Sequence, residues 1–94
     1  MLYMEYYVYV LKSVNFGIYY KGQTNNILNR LERHNRGYEK YTKAYRPWEL
    51  VFYAIYETRP EAVLMERKLK NLKSKERLEA WMEKNSEINQ CTRD

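Results

Sequence analysis

The stretch YYKGQTNNILNRLERHN, residues 19–35, decides how the chain folds. It runs from a tyrosine-rich, strand-like segment through a glycine and two asparagines into an amphipathic helix. Asn25 or Asn26 can cap that helix, because a short polar side chain there accepts a hydrogen bond from a free backbone N–H of the first turn. Ile27, Leu31 and His34 recur at helical spacing and form the face turned to the core. Gly37 is placed to end the helix, since it adopts the left-handed backbone at no steric cost. Arg30 lies on the same apolar face, where a guanidinium is unexpected.

Upstream, YYVYVLK (residues 6–12) reads as a buried strand and SVNFG (13–17) as a turn. IYYKGQT (18–24) is then the hairpin partner of the first strand. Downstream, residues 38–47 show no clear period, and WELVFYAIY (48–56) is a third strand. Thr58 and Glu61 have capping-box spacing, with Pro60 in the first turn, where its missing N–H costs nothing. Ala62, Met65, Leu69 and Leu72 give the next helix one apolar face. A break at Ser74 opens a last helix with Leu78, Trp81 and Met82 inward. The order β-β-α-β-α-α predicts an α+β domain with a small three-stranded antiparallel sheet flanked by helices. Residues 1–85 are expected to form a single domain and residues 86–94 a flexible tail.

The composition agrees with one folded domain. The 94 residues are 45% hydrophobic and 16% aromatic, which is too apolar for a disordered chain and too short for two cores. Eleven tyrosines suit half-buried sheet positions, where the ring packs and the hydroxyl reaches water or a ligand. A formal net charge of +5 favours a polyanionic partner. The one cysteine, Cys91, excludes an internal disulfide and a cysteine-based zinc cluster, and fits a reducing cytoplasm. There is no long apolar segment and no leader-like start, so neither membrane insertion nor export is expected.

Three residues break the pattern. Glu66 falls within the apolar stripe of its helix, where a carboxylate must be neutralised, paired or metal-bound. Its bland role is an ion pair with a lysine or arginine. Arg30 either lays its stem over the core with its head in water or offers a fork to a phosphate. His34 sits one turn beyond Arg30 near a helix C-terminus, where the dipole favours the charged form; it is a satisfied core or rim histidine or a proton carrier. A carboxylate, an arginine and tyrosine hydroxyls are together the parts for hydrolysing a phosphodiester.

From about residue 6 to residue 77 the chain resembles the GIY-YIG nuclease superfamily, and most of all its short stand-alone bacterial members. The resemblance rests on YVYVLKS, on YYKGQTNNILNRLERHN and on KYTKAYRPWELVFYAIYETRPEAVLMERKLKN. The two tripeptides of the family name correspond to Tyr7-Val8-Tyr9 and Tyr20-Lys21-Gly22. The family's phosphate-side arginine falls on Arg30, its metal-binding glutamate on Glu66, and the histidine of some members on His34. The chain departs from the pattern at Tyr7, at Lys21 and at Gln23, where many relatives have lysine. Asn71 is the nearest counterpart of an asparagine that some repair members carry beyond the glutamate.

The resemblance implies a metal-dependent endonuclease acting on DNA, with repair or recombination as a setting for such cuts. One divalent cation, Mg²⁺ or Mn²⁺, would be held by Glu66. Arg30 would stabilise charge growing on the phosphate oxygens, and Tyr9 or Tyr20 would orient or deprotonate the attacking water, with His34 as a further catalytic residue. Lys40, Lys43 and Arg46, interleaved with Tyr38, Tyr41 and Tyr45, are expected to grip the nucleic-acid backbone, with Lys21 and Gln23 beside the second tripeptide. The expected partner is DNA, with room for a protein partner, no membrane, and a monomer or weak dimer. The alternative is a nucleic-acid-binding module of the same fold with weak or lost catalysis. A plain structural domain would instead need Arg30 and Glu66 to be merely ion-paired.

Overall fold

The structure, a computed structural model, describes residues 5–86. The expected tail from residue 87 onward, with Cys91, lies outside the described residues. Two tyrosine-rich strands, β1 (Tyr6–Ser13) and β2 (Tyr19–Thr24), form the hairpin, and helix α1 (Ile27–Arg36) follows directly. A one-turn helix, α2 (Lys40–Lys43), precedes β3 (Trp48–Tyr56), and the chain continues through α3 (Arg59–Lys70) and α4 (Lys75–Lys84). The three strands make one antiparallel sheet in the order β2-β1-β3. The fold is the expected α+β class. The added element is α2, which is too short for its own apolar period to stand out in residues 38–47.

The local signals act as the sequence indicates. Asn26 caps α1, its side chain accepting from the Asn29 N–H at 3.1 Å. Gly37 closes α1 at φ 84, in the left-handed region. Thr58 and Glu61 form a reciprocal capping box at the start of α3. Ser74 caps α4 through the Arg77 N–H.

Strand alternation divides the molecule into two packed layers. Val8, Val10, Phe52 and Ala54 face α3 and α4, where they bury Ala62, Leu69 and Leu78. Removing a leucine of this size from water contributes about 1.5–3 kcal/mol, so Leu69 and Leu78 hold these helices to the sheet. On the opposite face Tyr9, Leu11 and Trp48 pack with Ile27 and Leu31 of α1, and with Tyr20 and Tyr53. The β2 strand forms one border of the sheet, and its residues follow the same alternation. Tyr20, Gly22 and Thr24 pair with Leu11, Tyr9 and Tyr7 on the α1 side, whereas Lys21 and Gln23 pair with Val10 and Val8 on the α3 side.

A side chain fastens α1 to the sheet. The Asn35 Oδ1 accepts from the Trp48 backbone N–H at 2.6 Å, and its Nδ2 donates to the Trp48 carbonyl at 3.0 Å. One amide thus serves both backbone groups at the head of β3, as a neighbouring strand would. The Trp48 indole N–H donates in turn to the Thr42 carbonyl at 2.8 Å, which secures α2. Replacing Asn35 by Ala leaves the Trp48 N–H and carbonyl without these partners, and the expected loss is about 1–3 kcal/mol. Chemical denaturation of the Asn35→Ala protein measures it; a loss below a few tenths of a kcal/mol would show that α1 is held by its apolar face alone.

Candidate active site

The site is built around Tyr9 in the middle strand. Its ring crosses Gly22 on the neighbouring strand so closely that a β-carbon there would stand 2.7 Å from the hydroxyl oxygen. Gly22 is therefore required by the ring. Tyr9 is 1% exposed, and its hydroxyl lies 3.1 Å from His34 Nε2. The other ring nitrogen of His34, Nδ1, lies 2.8 Å from Thr42 Oγ1. The Thr42 hydroxyl reaches the Glu39 carbonyl at 3.5 Å. One proton arrangement serves every group: Thr42 donates to the carbonyl, His34 Nδ1–H donates to Thr42, and Tyr9 donates to His34 Nε2. His34 is then the neutral Nδ1–H tautomer.

His34 is fully buried, with 0% exposure. Burial pushes its pKa below the ordinary value; Arg30 and Arg33 push the same way, and Glu39 opposes them. The helix dipole, which favours the charged form, does not prevail. The dipole is worth at most about 2 kcal/mol to the cation, and desolvation outweighs it here. His34 lies beneath the site.

Tyr20 stacks over this pair, its ring centroid 4.9 Å from that of His34 and 6.4 Å from that of Tyr9. The series of rings continues outward from Tyr20 to Tyr41 at 6.4 Å, to Tyr45 at 5.4 Å and to Phe16 at 5.3 Å. Tyr41 and Phe16 are exposed.

Charge gathers at the Tyr9 hydroxyl from two helices. Burial raises the phenol well above its usual value; Tyr20, Glu39 and Glu66 add to the rise, and Arg30 opposes it. Arg30 on α1 and Glu66 on α3 are thus both within electrostatic reach of one hydroxyl, although their helices cover opposite faces of the sheet. They do not pair with each other. Glu66 Oε2 holds Lys70 Nζ at 2.9 Å, one helical turn on. Arg30 Nε stands 3.9 Å from Glu39 Oε2, and it is buried without a hydrogen-bond partner. Glu39 is bound more closely by Arg33, at 3.3 Å.

Glu66 opens onto a shallow hollow of about 230 Å³ that Asn71 shares. Among the described residues there is no group of three or more His, Cys, Asp or Glu side chains able to hold a metal ion. Among the described residues, Glu66 is the one carboxylate that lines this hollow.

The expected nucleic-acid contacts divide. Lys40 and Lys43 on α2 are exposed, and the exposed Arg46 lays its guanidinium against Gly37, where an added β-carbon would meet it at 2.6 Å. Lys21 points to the other face, where its ammonium donates to the Leu69 and Leu72 carbonyls at 3.3 and 3.4 Å. Gln23 accepts from the Arg59 guanidinium at 3.0 Å. Both side chains secure α3, and neither stands beside Tyr9; the two-residue period of β2 already implied that separation. Thr42, Glu39 and Asn35 were absent from the sequence expectations. A polar residue within a short irregular segment has no period to mark it, and its partners lie elsewhere in the chain.

Residues 5–79 match the model of the family described as the GIY-YIG catalytic domain. A UPF0213 protein of Staphylococcus aureus is 37% identical over 75 residues, which are 79% of this chain and 90% of that protein. A UPF0213 protein of Pediococcus pentosaceus is 39% identical over 66 residues, 69% of this chain and 68% of that one. The solution NMR structure of a UPF0213 protein from Bacillus halodurans superposes with a TM-score of 0.55 at 31% identity, covering 85% of this chain and 84% of that one. No helix among the described residues is long and apolar enough to cross a membrane.

The buried neutral His34 sets a pH dependence. Its folded-state pKa lies below the ordinary 6.5, so below that pH the unfolded chain binds more protons than the fold does. Stability is full above pH 6.5 and declines as the pH falls through 6.5 towards the folded-state value. Thermal unfolding between pH 7.5 and 5 is expected to show this decline, and the His34→Gln protein, less stable at pH 7.5, is expected to show a shallower one. Parallel curves for the two proteins would mean that His34 takes up its proton without cost in the fold.

Proposed function

The chain belongs to the GIY-YIG family, and on that premise we propose that it is a metal-dependent endonuclease hydrolysing phosphodiester bonds in DNA. The observation that carries this reading is the Tyr9 hydroxyl, which is backed by His34 and reached by the fields of both Arg30 and Glu66. The Arg30 side chain, about a third exposed, presents a guanidinium suited to a phosphate oxygen. On this reading Arg30 stabilises charge that grows on the phosphate as water attacks phosphorus and the leaving oxygen departs.

Tyr9 acts as a relay and not as a standing phenolate. Its raised pKa disfavours the anion, but its proton already points at a neutral imidazole. As the attacking water gives a proton to the Tyr9 oxygen, the phenol proton passes to His34 Nε2. The lowered pKa of His34 keeps it in the accepting form near neutral pH.

A lone carboxylate suits Mg²⁺ or Mn²⁺, because such ions keep several waters and take further ligands from substrate phosphate. Glu66 would hold the ion, whose Lewis acidity would polarise the phosphate and lower the pKa of bound water. The Lys70 pair does not block this, since an i,i+4 pair with an exposed lysine is worth about 0.3–0.5 kcal/mol. The exposed ring of Tyr41, with Lys40 and Lys43 nearby, would bind the strand by stacking and charge. A binding module with weak catalysis is the second reading, favoured by the ion pair that Glu66 makes with Lys70.

The two readings separate on Glu66→Gln. Gln is nearly isosteric, so the fold should survive within about 1 kcal/mol, because the one ion pair removed is an i,i+4 contact with an exposed lysine. Metal-dependent cleavage of a panel of branched and linear DNAs should be abolished, with DNA binding kept or slightly improved as a negative charge disappears. Cleavage undiminished in the variant would sink the catalytic assignment.

Replacing Lys40, Lys43 and Arg46 together by Ala should weaken DNA binding and flatten its salt dependence. Each phosphate that the protein no longer neutralises reduces the slope of log affinity against log salt by about 0.9 on duplex DNA. A slope equal to that of the unaltered protein would remove α2 from the interface.

A further inference from the structure

A second basic hollow lies on the far face of the sheet, where the β1–β2 turn meets the junction of α3 and α4. Its volume is about 290 Å³, and its walls include Phe16, Gly17, Tyr19, Lys21, Lys73 and Lys75. No acidic residue lines it. Lys75 reaches across from α4 to the turn, so that its Nζ lies 3.7 Å from where a β-carbon on Gly17 would be. Lys21 Nζ rises from the floor, and its two carbonyl bonds leave one of its three protons to spare.

Among the described residues none of these three lysines is in an ion pair. The nearby Glu79 carboxylate is engaged by the Tyr19 hydroxyl at 2.5 Å. Lys70, which also bears electrostatically on Lys21, continues the positive surface along α3 to Glu66. Burial and Lys70 both lower the Lys21 pKa, a cost that a bound anion would relieve. Phe16, 59% exposed, stands at the rim with its ring edge-on to Tyr45.

We propose that the hollow lined by Lys21, Lys73 and Lys75 binds a phosphate group of a nucleic-acid strand, with Phe16 at its rim to take the adjoining base. It is a second anchor, on the opposite face from Tyr9, and joined to Glu66 by Lys70. The identity of the occupant rests on the nucleic-acid reading above. The concave, carboxylate-free wall distinguishes it from an ordinary solvated lysine patch, in which ammonium groups spread apart and pair with neighbouring acids.

The test is amide NMR on ¹⁵N-labelled protein titrated separately with inorganic phosphate, a mononucleotide and a short single-stranded oligonucleotide, with binding repeated on Lys73→Ala/Lys75→Ala. Both lysines are exposed, so the variant should give the spectrum of a folded protein away from the hollow. Shifts are expected at Gly17, Lys21, Ser74 and Lys75, with the oligonucleotide binding at least tenfold tighter than either small anion. The variant should bind the oligonucleotide at least tenfold more weakly and show a salt slope reduced by about 0.7 for each phosphate it no longer holds.

No response at these amides to any of the three, or unchanged affinity and slope in the variant, overturns the proposal. A mononucleotide that binds more tightly than the oligonucleotide overturns the strand as occupant. Response at the hollow in a protein that never cuts DNA upholds this site and not the nuclease. Cutting without response here does the opposite.

Discussion

The Tyr9 ring occupies the space that a side chain at residue 22 would need, and most of the site follows from that contact. Because Gly22 offers no β-carbon, the phenol can lie across the outer strand and carry its hydroxyl to α1. There it finds His34, whose ring is fixed from behind by Thr42. Thr42 in turn is fixed through its carbonyl by the Trp48 indole, and Trp48 by Asn35, the residue after His34. The constraints form a closed circuit through β1, α1, α2 and β3. A buried phenol and a buried imidazole would each be costly if unpaired. Within the circuit each satisfies the other.

Opposite charges can meet at Tyr9 because β2 is an outer strand. α1 packs on one face of the sheet and α3 on the other, and beyond β2 there is no further strand among the described residues to hold them apart. Arg30 and Glu66 both reach the field of the same hydroxyl without forming a bridge to each other. A direct bridge would have satisfied both charges and left little for a ligand. Instead each has a partner that is weak or exposed.

The sequence made the fold legible wherever a period or a cap was long enough to read. Strand alternation, the capping box at Thr58 and Glu61, and the glycine stop at Gly37 all correspond to elements of the structure. Arg30 and Glu66 stood out because each interrupts an apolar stripe, and that signal needs no partner to be visible. The circuit behind Tyr9 was not legible, because Thr42 and Asn35 act through contacts that no local pattern encodes. The charge state of His34 was not legible for a related reason. Its place at a helix end is written in the sequence, but its depth is set by the Tyr9 and Tyr20 rings above it. Lys21 and Gln23 were a different case. The period of β2 separates them from Tyr20 and Gly22, and reading it strictly would have sent both to the α3 face.

A single carboxylate also constrains how the proposed reaction would be ordered. Glu66 alone cannot outcompete water around a small, strongly hydrated cation, so the affinity of the free protein for Mg²⁺ should be weak. On the proposed reading a DNA phosphate beside it would supply a second charged oxygen, and the two would then bind the ion together. By linkage, whatever factor the DNA adds to the affinity for the ion, the ion adds to the affinity for DNA. Until both were present Glu66 would keep Lys70, an exchange that would cost little because an i,i+4 pair with an exposed lysine is weak. The protein alone would then have no assembled metal centre, and the centre would form only on a phosphodiester that also reaches Arg30.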